Sequence, residues 1–272
     1  MNDPRTPLKT SLLLGPLLAG VLALHAWGDG ASDQLGTRMD LWRYPERAVA
    51  PYRLRVPRRS GAEEWAAAVL KHFPGEAIQN HGALLELRPP APTVEVVLLD
   101  SETASKRLAG DGAGSLKENE SLYDPARRTI VVRMGPAIDQ PQVSAALKRG
   151  LARMLLYDAG SSRWSPWLAE GLIGLLEGSK AADLKAPAEE LPPLDLLLAA
   201  REAEFRGLPG AAYSRAARLL TAYLVDTAPE EFAAYYRASR LEGPARLSHS
   251  IDRFANPLRE QSAWRDWIQG QK

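Results

Sequence analysis

The sequence predicts an α+β chain: a small mixed sheet with helices, followed by an all-helical lobe and preceded by an N-terminal transmembrane or signal segment. Three observations carry this. Strand-period alternation and short apolar runs are confined to residues 52–132, helical spacing fills residues 142–268 between Pro and Gly breaks, and a charge-free, leucine-rich run occupies residues 11–24.

The N-terminal ten residues carry Arg5 and Lys9, and the apolar run that follows extends through His25, Ala26 and Trp27 to Gly28. A spanning helix needs about 17–25 apolar residues and a signal-peptide core about 7–15, so the run lies on the border between the two. Trp27 suits an interfacial anchor, and the basic flank stays cytoplasmic, so the expectation is a membrane contact through residues 11–28. The protein is then a single-pass one with its C-terminal domain extracytoplasmic. The alternative is cleavage after the small-residue pattern Ala26-Trp27-Gly28, giving a secreted or periplasmic product. Residues 1–28 are accordingly the signal anchor or signal peptide, and residues 29–50, polar and without period, read as a linker.

The α/β lobe is expected over residues 51–138. Residues 52–56 alternate as a half-buried strand, residues 61–73 have helical spacing and stop at Pro74 and Gly75, and residues 84–87, 94–99 and 129–132 are further strands. The helical lobe covers residues 139–272, with helices at 142–157, 166–178, 194–206, 211–226, 229–239, 245–255 and 257–268. Residues 51–272 are expected to form one unit.

Composition excludes several functions. Lys+Arg 34 against Asp+Glu 33 gives a net charge of +1, so no global field holds nucleic acid. The absence of cysteine removes disulfides, thiolate metal sites and cysteine nucleophiles. His25, His72, His81 and His249 form no i, i+4 pair, and there is no Gly-x-Ser-x-Gly elbow. The glycine-rich segment at 110–115 lacks the Lys-Ser/Thr of a phosphate loop and reads as a loop. Arg53, Arg55, Arg58 and Arg59 read as a solvated strand face, with contact to anionic headgroups as the alternative.

The informative stretch runs from 143 to 177. Val143, Leu147, Leu151, Met154 and Leu155 make one apolar stripe, with Arg149 and Arg153 together on an adjacent face. Pro166 opens a second helix on which Glu170 and Glu177 share a face. Glu170 stands in an apolar run, where a bare carboxylate is costly, so it demands a cation. Gly150, inside the first helix, fits either a close helix contact or a site under no functional constraint. The plainer alternative is that Arg149 and Arg153 face solvent and residues 167–177 are an ordinary amphipathic helix.

The run Trp-Leu-Ala-Glu-Gly-Leu at 167–172, with Glu177, is similar to the W-L-x-E-G-x-A…E signature of gluzincin-type zinc metallopeptidases, the peptidase MA-like group. Residues 121–132 resemble that family's edge-strand segment, residues 213–224 the helix behind its zinc site, and residues 258–268 its closing helix. The likeness covers roughly residues 51–268. It implies a zincin-like fold in which Glu170 occupies the third-ligand position. The His-Glu-x-x-His slots fall on Arg149, Gly150 and Arg153, which offer zinc no lone pair and water no base. The resemblance therefore implies a pseudopeptidase with no catalytic residues, no metal and no cofactor, whose relic cleft is lined by Arg149, Arg153, Glu170, Glu177 and Tyr213.

The function expected is a non-catalytic, exported and membrane-anchored protein that binds a peptide or protein partner in that cleft. One alternative is an active hydrolase using Glu170 and Glu177 as an acid/base pair with Tyr213 as oxyanion donor. The other is a structural envelope protein with a helical interaction surface. The ion pair expected in the cleft is Glu170 with Arg153, and less directly with Arg149.

Overall fold

The computed structural model describes residues 44–58, 60–100, 116–160, 164–178, 190–206, 210–242, 251, 254 and 256–270. The expected α+β class and mixed sheet are present. Strand β1 (Glu46–Val49) pairs antiparallel with β2 (Tyr52–Arg55), and helix α1 (Glu63–Leu85) crosses over to β3 (Val94–Leu99), which is parallel to β2. Strand β4 (Glu120–Asp124) turns back into β5 (Thr129–Arg133), which lies parallel to β3, so the order is β1-β2-β3-β5-β4 with β4 at one edge. The register sets Val97 beside Val131 and Tyr123 beside Ile130.

Alternation along the central strands divides the sheet into two faces. Leu54, Val96, Leu98, Ile130 and Val132 point toward the helices and join the main core, whereas Val97, Leu99 and Val131 form a smaller cluster with Tyr44 on the other side. Helix α1 and helix α2 (Gln140–Asp158) cover the first face. Asp139 caps α2 by accepting from the Gln142 N–H at 3.1 Å, and Pro141 lies in its first turn, where no N–H is missed. The stripe of Val143, Leu147, Leu151, Met154 and Leu155 is buried as its spacing predicts.

Three boundaries differ from the sequence reading. The segment read as linker contributes β1, because the short turn at Ala50 and Pro51 lets Glu46–Val49 add an edge to the sheet. Helix α1 does not stop at Pro74 and Gly75; Pro74 and Phe73 are buried, and apolar contacts on both sides of the proline hold the helix continuous to Leu85. Residues 84–87 are therefore no strand: Glu86 closes the helix in the left-handed region at φ 51° and donates its N–H to the Gly82 carbonyl. Of the arginines read as a solvated strand face, Arg53 is 60% exposed and Arg58 exposed, Arg55 is 19% exposed and paired with Glu46 at 2.5 Å and Glu95 at 2.7 Å, and Arg59 lies outside the described residues.

The second half is helical: α3 (Pro166–Leu176), α4 (Leu194–Ala199), α5 (Glu202–Arg206), α6 (Gly210–Thr227), α7 (Pro229–Glu242) and α8 (Pro257–Gly270). The single helix expected at 194–206 is broken at Ala200, whose ψ of 139° is extended. Of the helix expected at 245–255, only residues 251 and 254 are described. One apolar cluster runs from the sheet residues through α1 and α2 to α3, α6 and α7, where Trp167 stacks on Tyr235 with ring centroids 5.9 Å apart. The apolar segment at 11–28 and the glycine-rich segment at 110–115 lie outside the described residues. Among those described, no helix is long and apolar enough to cross a membrane.

Candidate functional site

Helix α2 lies against the sheet at Gly150. A Cβ there would meet the Ile130 Cγ2 at 2.6 Å and the Ser121 Cβ at 3.5 Å, so the position faces β4 and β5 and a close contact accounts for the glycine. A glutamate at 150 has no room on this face. The same approach brings Arg153 to the edge strand, where its Nη1 donates to the Ser121 carbonyl at 2.6 Å. Burial depresses the Arg153 pKa; Glu170, Glu177 and Glu120 act in the opposite direction, and the neighbouring Arg149 adds to the depression.

Helix α3 approaches α6 as closely, again through glycine. A Cβ on Gly171 would lie 2.8 Å from the Ala217 carbonyl and would strike the Thr221 hydroxyl, and one on Gly174 would meet the Arg218 Cδ at 2.9 Å. Gly174 lies between Glu170 and Glu177 in the chain, so the aliphatic stem of Arg218 rests on α3 between the two carboxylates. Its Nη2 donates to Glu170 Oε1 at 2.8 Å, and its Nη1 stands 3.0 Å from Glu177 Oε2. The other oxygen of Glu177, Oε1, accepts from Arg149 Nε at 3.2 Å. The result is a chain of charges, Glu170–Arg218–Glu177–Arg149, that ties α2, α3 and α6 together. Arg218, Glu170 and Glu177 are 13%, 15% and 10% exposed and Arg149 is 39% exposed, so the chain runs from nearly dry to wet.

The expectation that Glu170 needs a cation is met, and the partner expected for it is corrected. Arg218 from α6 takes Glu170, whereas Arg153 spends its length reaching the edge strand and Arg149 pairs with Glu177. Arg149, Arg153, Glu170 and Glu177 are brought together as the sequence suggested. Among the described residues Tyr213 makes no hydrogen bond to either carboxylate; its ring packs edge-on against Phe205 at 5.7 Å and 67°. The signal that identifies Arg218 is a charge inside the run Ala216, Ala217, Leu219 and Leu220, all buried, opposite a Gly-x-x-Gly spacing on α3.

A zinc ion, the metal of the peptidases that residues 167–177 resemble, does not fit these residues. The two positions that would supply imidazoles carry guanidiniums, and the one remaining carboxylate ligand, Glu170, is already bonded to Arg218. Among the described residues no group of three or more His, Cys, Asp or Glu is placed to hold a metal ion.

A second charged zone lies at the C-terminal end of α2. Arg128, in the β4–β5 turn, donates to Asp158 through both terminal nitrogens at 2.9 and 2.8 Å, a two-pronged bond that fastens the helix to the hairpin. Tyr52 and Tyr123 lie in the field of this pair, with buried hydroxyls that find no hydrogen-bond partner. Burial first, and Asp158 second, push the Tyr123 pKa up to about 12, and the same two causes raise that of Tyr52.

Comparison with known proteins yields no matching family model and no matching curated protein.

Proposed function

We propose that this chain is a non-catalytic, exported and membrane-anchored protein on a peptidase-like plan, which binds a peptide or protein segment where α2, α3 and the edge strand β4 meet. The observation that supports it is the engagement of Glu170 and Glu177 by Arg218 and Arg149. A hydrolytic carboxylate must be free to take or give a proton, and a metal-bound one must face an open cation site. Here each carboxylate sits against a guanidinium that does not deprotonate. The resemblance of residues 167–177 to the zinc-peptidase signature supports the peptidase-like plan, and the basic flank and apolar run at residues 1–28 support the anchor.

The test uses the full-length chain in detergent micelles on an array of unstructured peptides, with and without added zinc. Binding without cleavage, weakened at least about tenfold in an Arg149→Ala, Arg153→Ala double variant that keeps its fold, is the expected result. Peptide hydrolysis, or binding indifferent to both substitutions, overturns it. In membrane fractionation the full-length chain is expected to stay with the membrane after alkaline extraction. A soluble exported product beginning at Asp29 would replace the anchor with a cleaved signal peptide.

A further inference from the structure

Arg149 and Arg153 stand one turn apart on α2, and like charges at that spacing repel. Each guanidinium is a planar fork of N–H donors suited to gripping a carboxylate with two parallel bonds. Among the described residues Arg149 bonds only through its Nε, toward Glu177, and Arg153 only through Nη1, toward the Ser121 carbonyl, so most of both forks makes no hydrogen bond to them. None of these nitrogens is a buried atom without a partner, so the unused donors reach solvent.

The charges around the pair leave room for an anion. Facing it from α3 are Glu170 and Glu177, both already held by Arg218, and from β4 comes Glu120. Glu120 is exposed, and its carboxylate accepts from the Lys117 backbone N–H at 3.0 Å. Arg149, Arg153 and Arg218 stand against three carboxylates, Glu170 and Glu177 of α3 and Glu120 of β4, so the group is balanced in charge and its capacity for an anion rests on the unused N–H donors, not on net charge.

We propose that the unused forks of Arg149 and Arg153 form an oxyanion site whose ligand is an Asp or Glu side chain of a bound peptide. This rests on the peptide-binding reading above and adds to it the chemistry that selects the peptide. A polyanion is a poorer match than a single side chain. The pair is flanked by carboxylates on both sides, which repel a continuous negative backbone, and the chain as a whole carries a net charge of only +1.

Calorimetric titration of the full-length chain in neutral detergent tests this with two end-blocked hexapeptides, Ala-Ala-Glu-Glu-Ala-Ala and its Gln-Gln counterpart, and with inorganic phosphate. The Glu peptide is expected to bind at least about tenfold more tightly than the Gln peptide, with the difference shrinking as salt is raised. An Arg149→Gln, Arg153→Gln double variant, its fold checked by circular dichroism, should lose that preference, and Arg153→Lys should lose part of it because a point charge replaces a fork. Arg128→Gln, a charge removed elsewhere on the sheet, should leave it intact. Equal binding of both peptides, weakened in the double variant, overturns the carboxylate preference while the peptide site stands. No binding of either peptide overturns both readings. Binding of phosphate but not of the Glu peptide overturns the peptide occupant and leaves a small-anion site.

Discussion

At its C-terminal end α2 meets Arg128 through Asp158, one fork on one carboxylate, whereas further back along the same helix Arg149 shares Glu177 with Arg218 from another helix while Arg153 reaches the Ser121 carbonyl. The first zone is closed. Its cation and anion match in number, and its surplus polar atoms, the Tyr52 and Tyr123 hydroxyls and Arg128 Nε, are buried where a solute has no path to them. The second zone is open, because Arg149 and Arg153 each keep N–H donors that no described residue takes up and that are not buried. The same residue types thus make a fastening in one place and, as proposed, a binding surface in the other, and donor pairing with burial, not residue identity, separates the two.

Four experiments break or sharpen that contrast. The largest effect is expected from Arg218→Ala, which strands Glu170 at 15% exposure and leaves Glu177, at 10%, with Arg149 alone. Removing one partner of a buried pair costs about 3–5 kcal/mol, and the partial exposure here lowers the expectation to about 2–4 kcal/mol in urea denaturation. A cost below about 1 kcal/mol would place the pairing with surface salt bridges and remove the distinction between the zones.

Gly174→Ala comes next, because it displaces the Arg218 stem without removing any charge. Overpacking of this kind costs about 1–3 kcal/mol, and in a double-mutant cycle it should be far from additive with Arg218→Ala, since both act on one contact. Additivity would show that Gly174 has no part in seating the arginine.

Arg128→Ala opens the closed zone. Asp158 is only 18% exposed, and the loss of its bidentate partner should cost about 1–3 kcal/mol by thermal unfolding while peptide binding stays as it was. A change in peptide binding would mean the two zones are coupled through α2.

The smallest effect is one of pH. The Tyr123 pKa is raised to about 12 against an ordinary value near 10, so the folded state favours the neutral phenol more than the unfolded state does. Its contribution is complete below pH about 10 and is lost as pH rises through about 12. Tyr123→Phe should flatten that alkaline decline and, as the hydroxyl has no hydrogen-bond partner, should change stability little at pH 7. An unchanged alkaline slope would mean that other groups set it.

Much of the architecture is legible in local pattern. The period-2 alternation at Tyr52–Arg55 and the apolar runs at Val94–Leu99 and Thr129–Arg133 become the three parallel strands, and the stripe on Gln140–Asp158 becomes the face of α2 on the sheet. What escapes the sequence is decided across space. Pro74 marks a helix end by local rules, yet α1 passes it because buried neighbours on both sides hold it. Leu84 and Leu85 have the character of a strand and are the last turn of a helix. Glu170's need for a cation follows from its apolar neighbours, but the identity of that cation depends on which helix packs against α3, and Arg218 lies 48 residues away. The tertiary clue is the pair Gly171 and Gly174, which marks a surface where another helix comes to backbone contact.

The seat of Arg218 on Gly174 also constrains the order in which this surface can change. A side chain at 174 collides with the arginine stem, and loss of the arginine leaves Glu170 without its cation and Glu177 with Arg149 alone, so neither position can be altered alone without loss. Substitutions at 174 and 218 are epistatic: a lineage moving away from this arrangement must release Glu170 or Glu177 first, and one moving toward it must clear position 174 before the arginine can settle. A pair of related chains that differ at 218 should therefore differ at 174, 170 or 177 as well, and a chain carrying only the single change would be the rare intermediate.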